Sequence, residues 1–300
     1  MKKLIVAGAS LALLFAPVAP ASATPTLPAG DVLYEMSCDG DVSGHQLYSL
    51  NTSDNTRTAI GTGTGSTTCA LQGAVLPGSN WFYFISVGTP KSLVRTNLTS
   101  GSTEVIGEIR EEGADRDTSS FTIDDNGNAY ALTYDTLYSV NLSTGALTNP
   151  VAANTYDLAS GYPYGFAFDS KTNKFYVAED GGGGLYWLNI GTGGFTLIAT
   201  NSDYWVGSMS FDSDGNLWVN GDTNQVSRVA LSDFGNSANW IDSAPLSPNI
   251  YSESLAIARP ASSDDDEEGL AKTGSADATP YLLGGLLAAG IALALRRRRV

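Results

Sequence analysis

The sequence predicts an all-β fold, a five-bladed β-propeller with four-stranded blades, and three observations carry that prediction. Helical periodicity is nearly absent, and apolar or aromatic residues come in short runs separated by clusters of Gly, Asn, Asp, Ser and Thr, which is the pattern of strands and turns. A five-residue unit returns along the chain as Leu47 to Asn51, Leu93 to Asn97, Leu137 to Asn141, Leu185 to Asn189 and, more loosely, Val226 to Ala230. The ends of these units are spaced by 46, 44, 48 and 41 residues, the period of one propeller blade. The third observation is that the two ends of the repeated region complement one another.

Taken in order, each repeat reads as four strands. The first is Phe-rich and ends in Asp: Phe121 to Asp124, Phe166 to Asp169, Met209 to Asp212. The second carries an aromatic residue, Tyr34, Tyr83, Tyr130, Tyr176 or Trp218. The third is the returning unit, and three copies run into Ser/Thr/Gly turns at 99 to 101, 143 to 145 and 191 to 193 that reverse the chain into a Thr/Val-rich fourth strand. The region begins at a strand of the second kind, Val32 to Met36, whereas Ser254 to Ala258 is a strand of the first kind with nothing after it. Pairing them closes the ring and removes an exposed edge. A β-sandwich, or a ring with one more blade, is the alternative. The repeats resemble the broad YVTN, NHL and WD-type propeller superfamily from about Asp31 to Pro260, without the full fingerprint of any member, and the resemblance implies fold rather than function.

The flanks divide the chain into residues 1–23, 24–260, 261–269 and 270–300. Lys2 and Lys3 precede an apolar stretch from Leu4 to about Val18, and Ala21-Ser22-Ala23 is the small-x-small pattern of a signal peptide cleaved before Thr24. At the other end, Leu270-Ala271-Lys272-Thr273-Gly274 precedes an uncharged apolar run, Tyr281 to Leu295, and four arginines, Arg296 to Arg299. That order resembles the cell-wall sorting signal (LPXTG type) of Gram-positive surface proteins. Ala271 in place of the commoner Pro resembles the variant used by high-GC species. The resemblance implies that a sortase, as a transient partner, cuts between Thr273 and Gly274 and joins the Thr273 carbonyl to a peptidoglycan amine. The protein would then touch the membrane only before sorting and finish on the cell wall. The run is about 15 residues long, short beside the roughly 20 of a membrane helix, and the arginines hold it on the cytoplasmic side. An uncleaved membrane anchor is the alternative. The acidic run 264–268 between the domain and this signal reads as a self-repelling spacer.

Composition narrows the partners. Of 16 Lys and Arg, removing Lys2, Lys3 and the four terminal arginines leaves 10 between 24 and 273. Of 31 Asp and Glu, only Asp277 lies outside that span, leaving 30. So acidic a domain is repelled by nucleic acid and by phosphate-rich ligands. Cys38 and Cys69 are the only cysteines, and one disulfide between them, closing a loop of about 30 residues, suits an exported chain. A lone histidine, His45, and no Cys pair at ligand spacing leave no expectation of a metal or cofactor.

The Asp-rich turns, such as Asp212 to Asn216, resemble the start of a calcium loop, but position twelve is Thr223 within a β pattern, so they read as hairpin turns. More informative is an Asp just after the second strand, Asp39, Asp135, Asp180 and Asp222. In a propeller those loops share one face with the connections between blades, which add Asp115, Asp117, Tyr156, Asp157, Tyr162, Tyr164, Tyr204, Trp205, Tyr251 and Glu253. Carboxylates beside aromatic rings suit sugars or cationic peptide groups, and Asp39, Asp135, Asp180, Asp222, Tyr164, Tyr204 and Trp205 form the candidate binding set. No catalytic residue is assigned. The inner-strand acids Asp124, Asp169 and Asp212 sit in turns, and no inner strand carries Glu, which weighs against the convergent carboxylates of a glycoside hydrolase. A non-enzymatic binding or adhesion module for a glycan or protein ligand is the favoured reading. A carbohydrate hydrolase is the second, and a propeller acting as a spacer or decoy the third.

Overall fold

The computed structural model describes residues 24–37, 45–63, 69–154, 157–159, 162–181, 183–221, 224–250 and 252–260. The chain divides after Pro260. The signal-peptide segment, the acidic spacer and the sorting motif at 270–274 lie outside the described residues.

Five antiparallel sheets of four strands each form the blades of a β-propeller. Blade 2 runs Ala70–Val75, Trp81–Ser86, Ser92–Asn97, Thr103–Glu108 from the axis outward. Blade 3 runs Thr118–Ile123, Ala129–Thr133, Thr136–Val140, Leu147–Ala152. Blade 4 runs Pro163–Asp169, Lys174–Glu179, Gly184–Asn189, Gly194–Thr200. Blade 5 runs Ser208–Phe211, Asn216–Asn220, Val226–Ala230, Ile241–Asp242. Blade 1 is built from both ends of the domain: its inner strand is Ser252–Ala258, two residues longer at its start than expected and so carrying Glu253 where no inner-strand Glu was expected, followed outward by Val32–Ser37, Leu47–Asn51 and Thr56–Ile60. The expected closure is present in register, Val32 opposite Ala258 and Met36 opposite Ser254.

The apolar runs are continuous rather than alternating because both faces of the inner strands are covered. Five clusters of buried side chains fill the seams between neighbouring blades. Phe82, Phe84 and Leu47 pack between blades 1 and 2, Phe121 and Tyr138 between 2 and 3, Phe166 and Tyr186 between 3 and 4. Phe211 and Val219 join blades 4 and 5, and Trp218 and Leu33 join 5 and 1. Each blade is thus stabilised by its neighbours, and the ring depends on being closed.

Polar ties reinforce the seams. At the axis the fully buried Gln72 donates from Nε2 to Met209 O at 2.8 Å and accepts from Met209 N at 3.1 Å, so one side chain joins blade 2 to blade 5. Around the rim, the turns after the third strands of blades 2, 3 and 4 lie against the previous blade's outer strand. A Cβ at Gly101 would overlap Ile60 O, and one at Gly193 would overlap Ala152 O, while both glycines hold φ near +70°. These are the turn glycines of the sequence repeat.

Blade 5 has the expected four strands, but its fourth is short and is not Thr/Val-rich. Its outer strand is only Ile241–Asp242, because residues 231–239 form two short 3-10 turns in place of a Thr/Val strand. The segment is rich in Ser, Asp and Asn, whose side chains bond locally to the backbone; Asn236 accepts from Ala238 N. Phe234 and Trp240 bury into the space instead, and the Trp240 indole donates to Phe234 O at 3.1 Å. Cys69 is disulfide-bonded, and Cys38, the chain's other cysteine, lies outside the described residues.

Candidate functional site

Antiparallel blades sort their turns by end. Loops joining first to second strands, with the Asp-rich turns, lie on one face. Loops joining second to third strands lie on the other, with the connections between blades. On the first face the acids are engaged in their own turns. Asp212 accepts from the backbone N–H of Asp214 and Asn216 and from the Trp218 indole at 2.9 Å, and Asp124 accepts from Asn126 and Asn128 in the same way. Asp169 accepts from Lys171 N and the Thr172 hydroxyl. The calcium-like spacing therefore serves turn geometry, and among the described residues no group of three or more His, Cys, Asp or Glu is placed to hold a metal.

The second face gathers part of the candidate set. Asp180 follows the second strand of blade 4, Tyr164 opens that blade's inner strand, and Trp205 lies in the connection to blade 5. The Trp205 indole N–H donates to Asp180 Oδ1 at 2.9 Å, and the Tyr164 and Trp205 rings are 5.4 Å apart at 50°. All three side chains are partly exposed. The Asp180 backbone N–H donates to Tyr162 O at 2.9 Å, which sets the loop against the neighbouring connection. The Tyr162 ring lies 6.1 Å from Tyr134, a residue 52% exposed. Burial, followed by the charges of Asp117 and Asp180, holds the Tyr162 phenol above its ordinary pKa, so it remains protonated across the physiological range.

The other candidates are placed differently. Asp135 is exposed on the same face and accepts from its neighbour Thr136 Oγ1 at 2.9 Å. Tyr204 packs into the framework: its ring lies 4.3 Å from Trp240 and its hydroxyl 2.5 Å from Ser227 Oγ. Asp39 and Asp222 lie outside the described residues. Tyr134 was not in the candidate set, although an exposed aromatic directly before the recurring Asp135 was a readable signal. The arrangement can hold a ring or a cation against two tilted aromatic faces beside a carboxylate, and these residues offer no nucleophile with an adjacent base.

The fold has solved counterparts. The crystal structure of a nidogen/laminin complex aligns with 76% of this chain and 98% of that one, at a TM-score of 0.52 and 14% identity. A symmetrical protein from a study of de novo evolutionary emergence and folding constraints covers 77% and 99%, at 0.49 and 16%. A gluconolactonase of Xanthomonas campestris covers 70% and 71%, at 0.45 and 16%. No protein-family model and no curated protein matches the chain. Likeness at this identity establishes the propeller fold alone.

Proposed function

We propose that this protein is an exported, sortase-anchored surface protein of a Gram-positive bacterium whose propeller binds a glycan or protein ligand without transforming it. The observation that carries the binding reading is the Trp205–Asp180 hydrogen bond with Tyr164 beside it. Three side chains, from the start of an inner strand, a connection and a loop, converge on a face where framework packing does not require exposed rings. The anchoring half of the proposal rests on the sequence alone, on the order of motif, apolar run and arginines from Leu270 to Arg299. Among the described residues no helix is long and apolar enough to cross a membrane; the apolar runs from Leu4 and from Tyr281 lie outside them.

The binding reading is tested by screening the full chain against wall-derived and host-type glycans and against peptides, followed by Trp205→Ala and Asp180→Asn in any interaction found. Loss of affinity in both variants with unchanged melting temperature supports this face. Affinity unchanged in both places the site elsewhere.

A further inference from the structure

The ligand class can be narrowed, and the argument rests on the reading of the Trp205 face as the binding face. Three observations bear on the class. The first is ring polarisation: the Trp205 indole N–H points into the Asp180 carboxylate, and a hydrogen bond to an anion pushes electron density onto the indole. Its faces become better acceptors for a cation. Tyr164 adds a second ring at 50°, so the two make a corner with the carboxylate at its edge.

The second concerns the charges around that corner. Lys91, Arg110 and Arg116, the basic residues described on this face, are each already paired with an acid: Lys91 with Asp117 at 2.6 Å, Arg110 with Asp115 at 2.9 Å, and Arg116 with Glu111. The domain and its spacer carry 10 basic against 30 acidic residues between 24 and 273, so the field over the face is negative. An anionic ligand would have to break an existing pair to find a partner. The third is Tyr162 on the same face, whose phenol is held above its ordinary pKa chiefly by burial, with the carboxylates of Asp117 and Asp180 acting in the same direction.

A neutral sugar would stack on Trp205 but would gain nothing from that potential. A cation gains from the rings, from the carboxylate and from the field together. We propose that the corner formed by Trp205, Tyr164 and Asp180 binds the ammonium or guanidinium group of a basic peptide.

The test titrates the full chain, at low and at high salt, with three probes: a lysine- and arginine-containing peptide, the same peptide with serine in place of each base, and a neutral chito-oligosaccharide. The basic peptide is expected to bind, and Trp205→Ala and Asp180→Asn each to weaken it about tenfold. Added salt weakens it further. Trp205→Phe, which keeps a ring but not the indole N–H, is expected to lose less than Trp205→Ala. Basic-peptide binding that responds to salt but to none of these variants is attraction to an acidic surface in general, and it overturns the proposal. Oligosaccharide binding lost in Trp205→Ala, with no basic-peptide binding, leaves the face as the site and overturns the cationic class. If no probe responds to Trp205→Ala, the proposal falls.

Discussion

Arg57 grips Glu35 with two nitrogens, Nε at 2.6 Å from Oε2 and Nη2 at 3.2 Å from Oε1, where both side chains are only 2% exposed. The pair lies within blade 1, but its remaining bonds reach out of it. Arg57 Nη1 donates to Pro248 O at 2.8 Å and to Asn224, and Glu35 Oε1 accepts from Asn220 Nδ2 at 3.4 Å. One ion pair thus fastens the blade made from both ends of the domain to the blade before it. Replacing one partner strands the other charge in the interior, which costs about 3 to 5 kcal/mol. Arg57→Met is therefore expected to lower the melting temperature sharply, and the double variant Glu35→Leu/Arg57→Met to recover much of the loss. Chemical denaturation of the four forms checks this; a double variant as unstable as Arg57→Met would show that packing, not stranded charge, sets the cost.

His45 gives the domain a pH dependence. The ring is 4% exposed and meets Phe84 edge-on at 5.1 Å, and burial lowers its pKa from 6.5 to about 4. Between those values the unfolded chain binds a proton that the folded one does not, so stability falls as pH drops from about 6.5 to about 4 and this contribution is flat below. A depression of that size corresponds to on the order of 3 kcal/mol. Denaturation midpoints for the native protein and His45→Gln, compared from pH 7 to pH 4, should converge as the pH falls. Parallel curves would mean that His45 does not titrate in the unfolded state alone.

The rim contact makes a sharper prediction about glycine. Gly193 holds φ +71° and lies against the backbone of Ala152 in the previous blade, whereas Gly78 holds φ +67° with open space around it. Alanine at Gly78 incurs only the left-handed backbone cost, about 1 kcal/mol. At Gly193 it also forces two blades apart, and a loss at least twice as large is expected. Equal losses at the two sites, measured by thermal unfolding, would show that the blade contact is loose.

What could be read in advance follows from the range of the interactions. The third-strand unit recurs five times and its turn glycines three times, and the closing strands are read by comparison with those copies, so a degenerate sequence still reveals them. The shortness of blade 5's outer strand was not legible, because the loose fifth repeat marks only the third strand. Nothing local shows that Phe234 and Trp240 take the place of a strand. For the site, the loop and connection positions of Asp180, Tyr164 and Trp205 were legible from the repeat. Tyr204, one residue from Trp205, could not be told from it, because what separates them is the direction of a side chain toward Trp240. The Glu35–Arg57 pair was invisible for a related reason: its partners are 22 residues apart, and Asn224 lies 167 residues from Arg57.

The anchoring proposal gives the last prediction. Sortase chemistry of the kind this tail resembles needs the Thr273 carbonyl as acyl donor and Gly274 as the start of the leaving segment, while the apolar run and arginines only hold the motif at the membrane. The two parts should therefore fail differently. With Thr273→Ala, acyl transfer is blocked, and the protein should accumulate uncleaved in the membrane fraction of a sortase-bearing Gram-positive host. With Arg296 to Arg299 replaced by glutamine, the stop is lost and the protein should appear in the medium. The native chain should be released only when muramidase cuts the wall, with a wall fragment on Thr273 visible by mass spectrometry. Native protein recovered by detergent alone, with residues 274–300 still attached, would make the tail a plain membrane anchor and would leave the propeller's binding face unaffected.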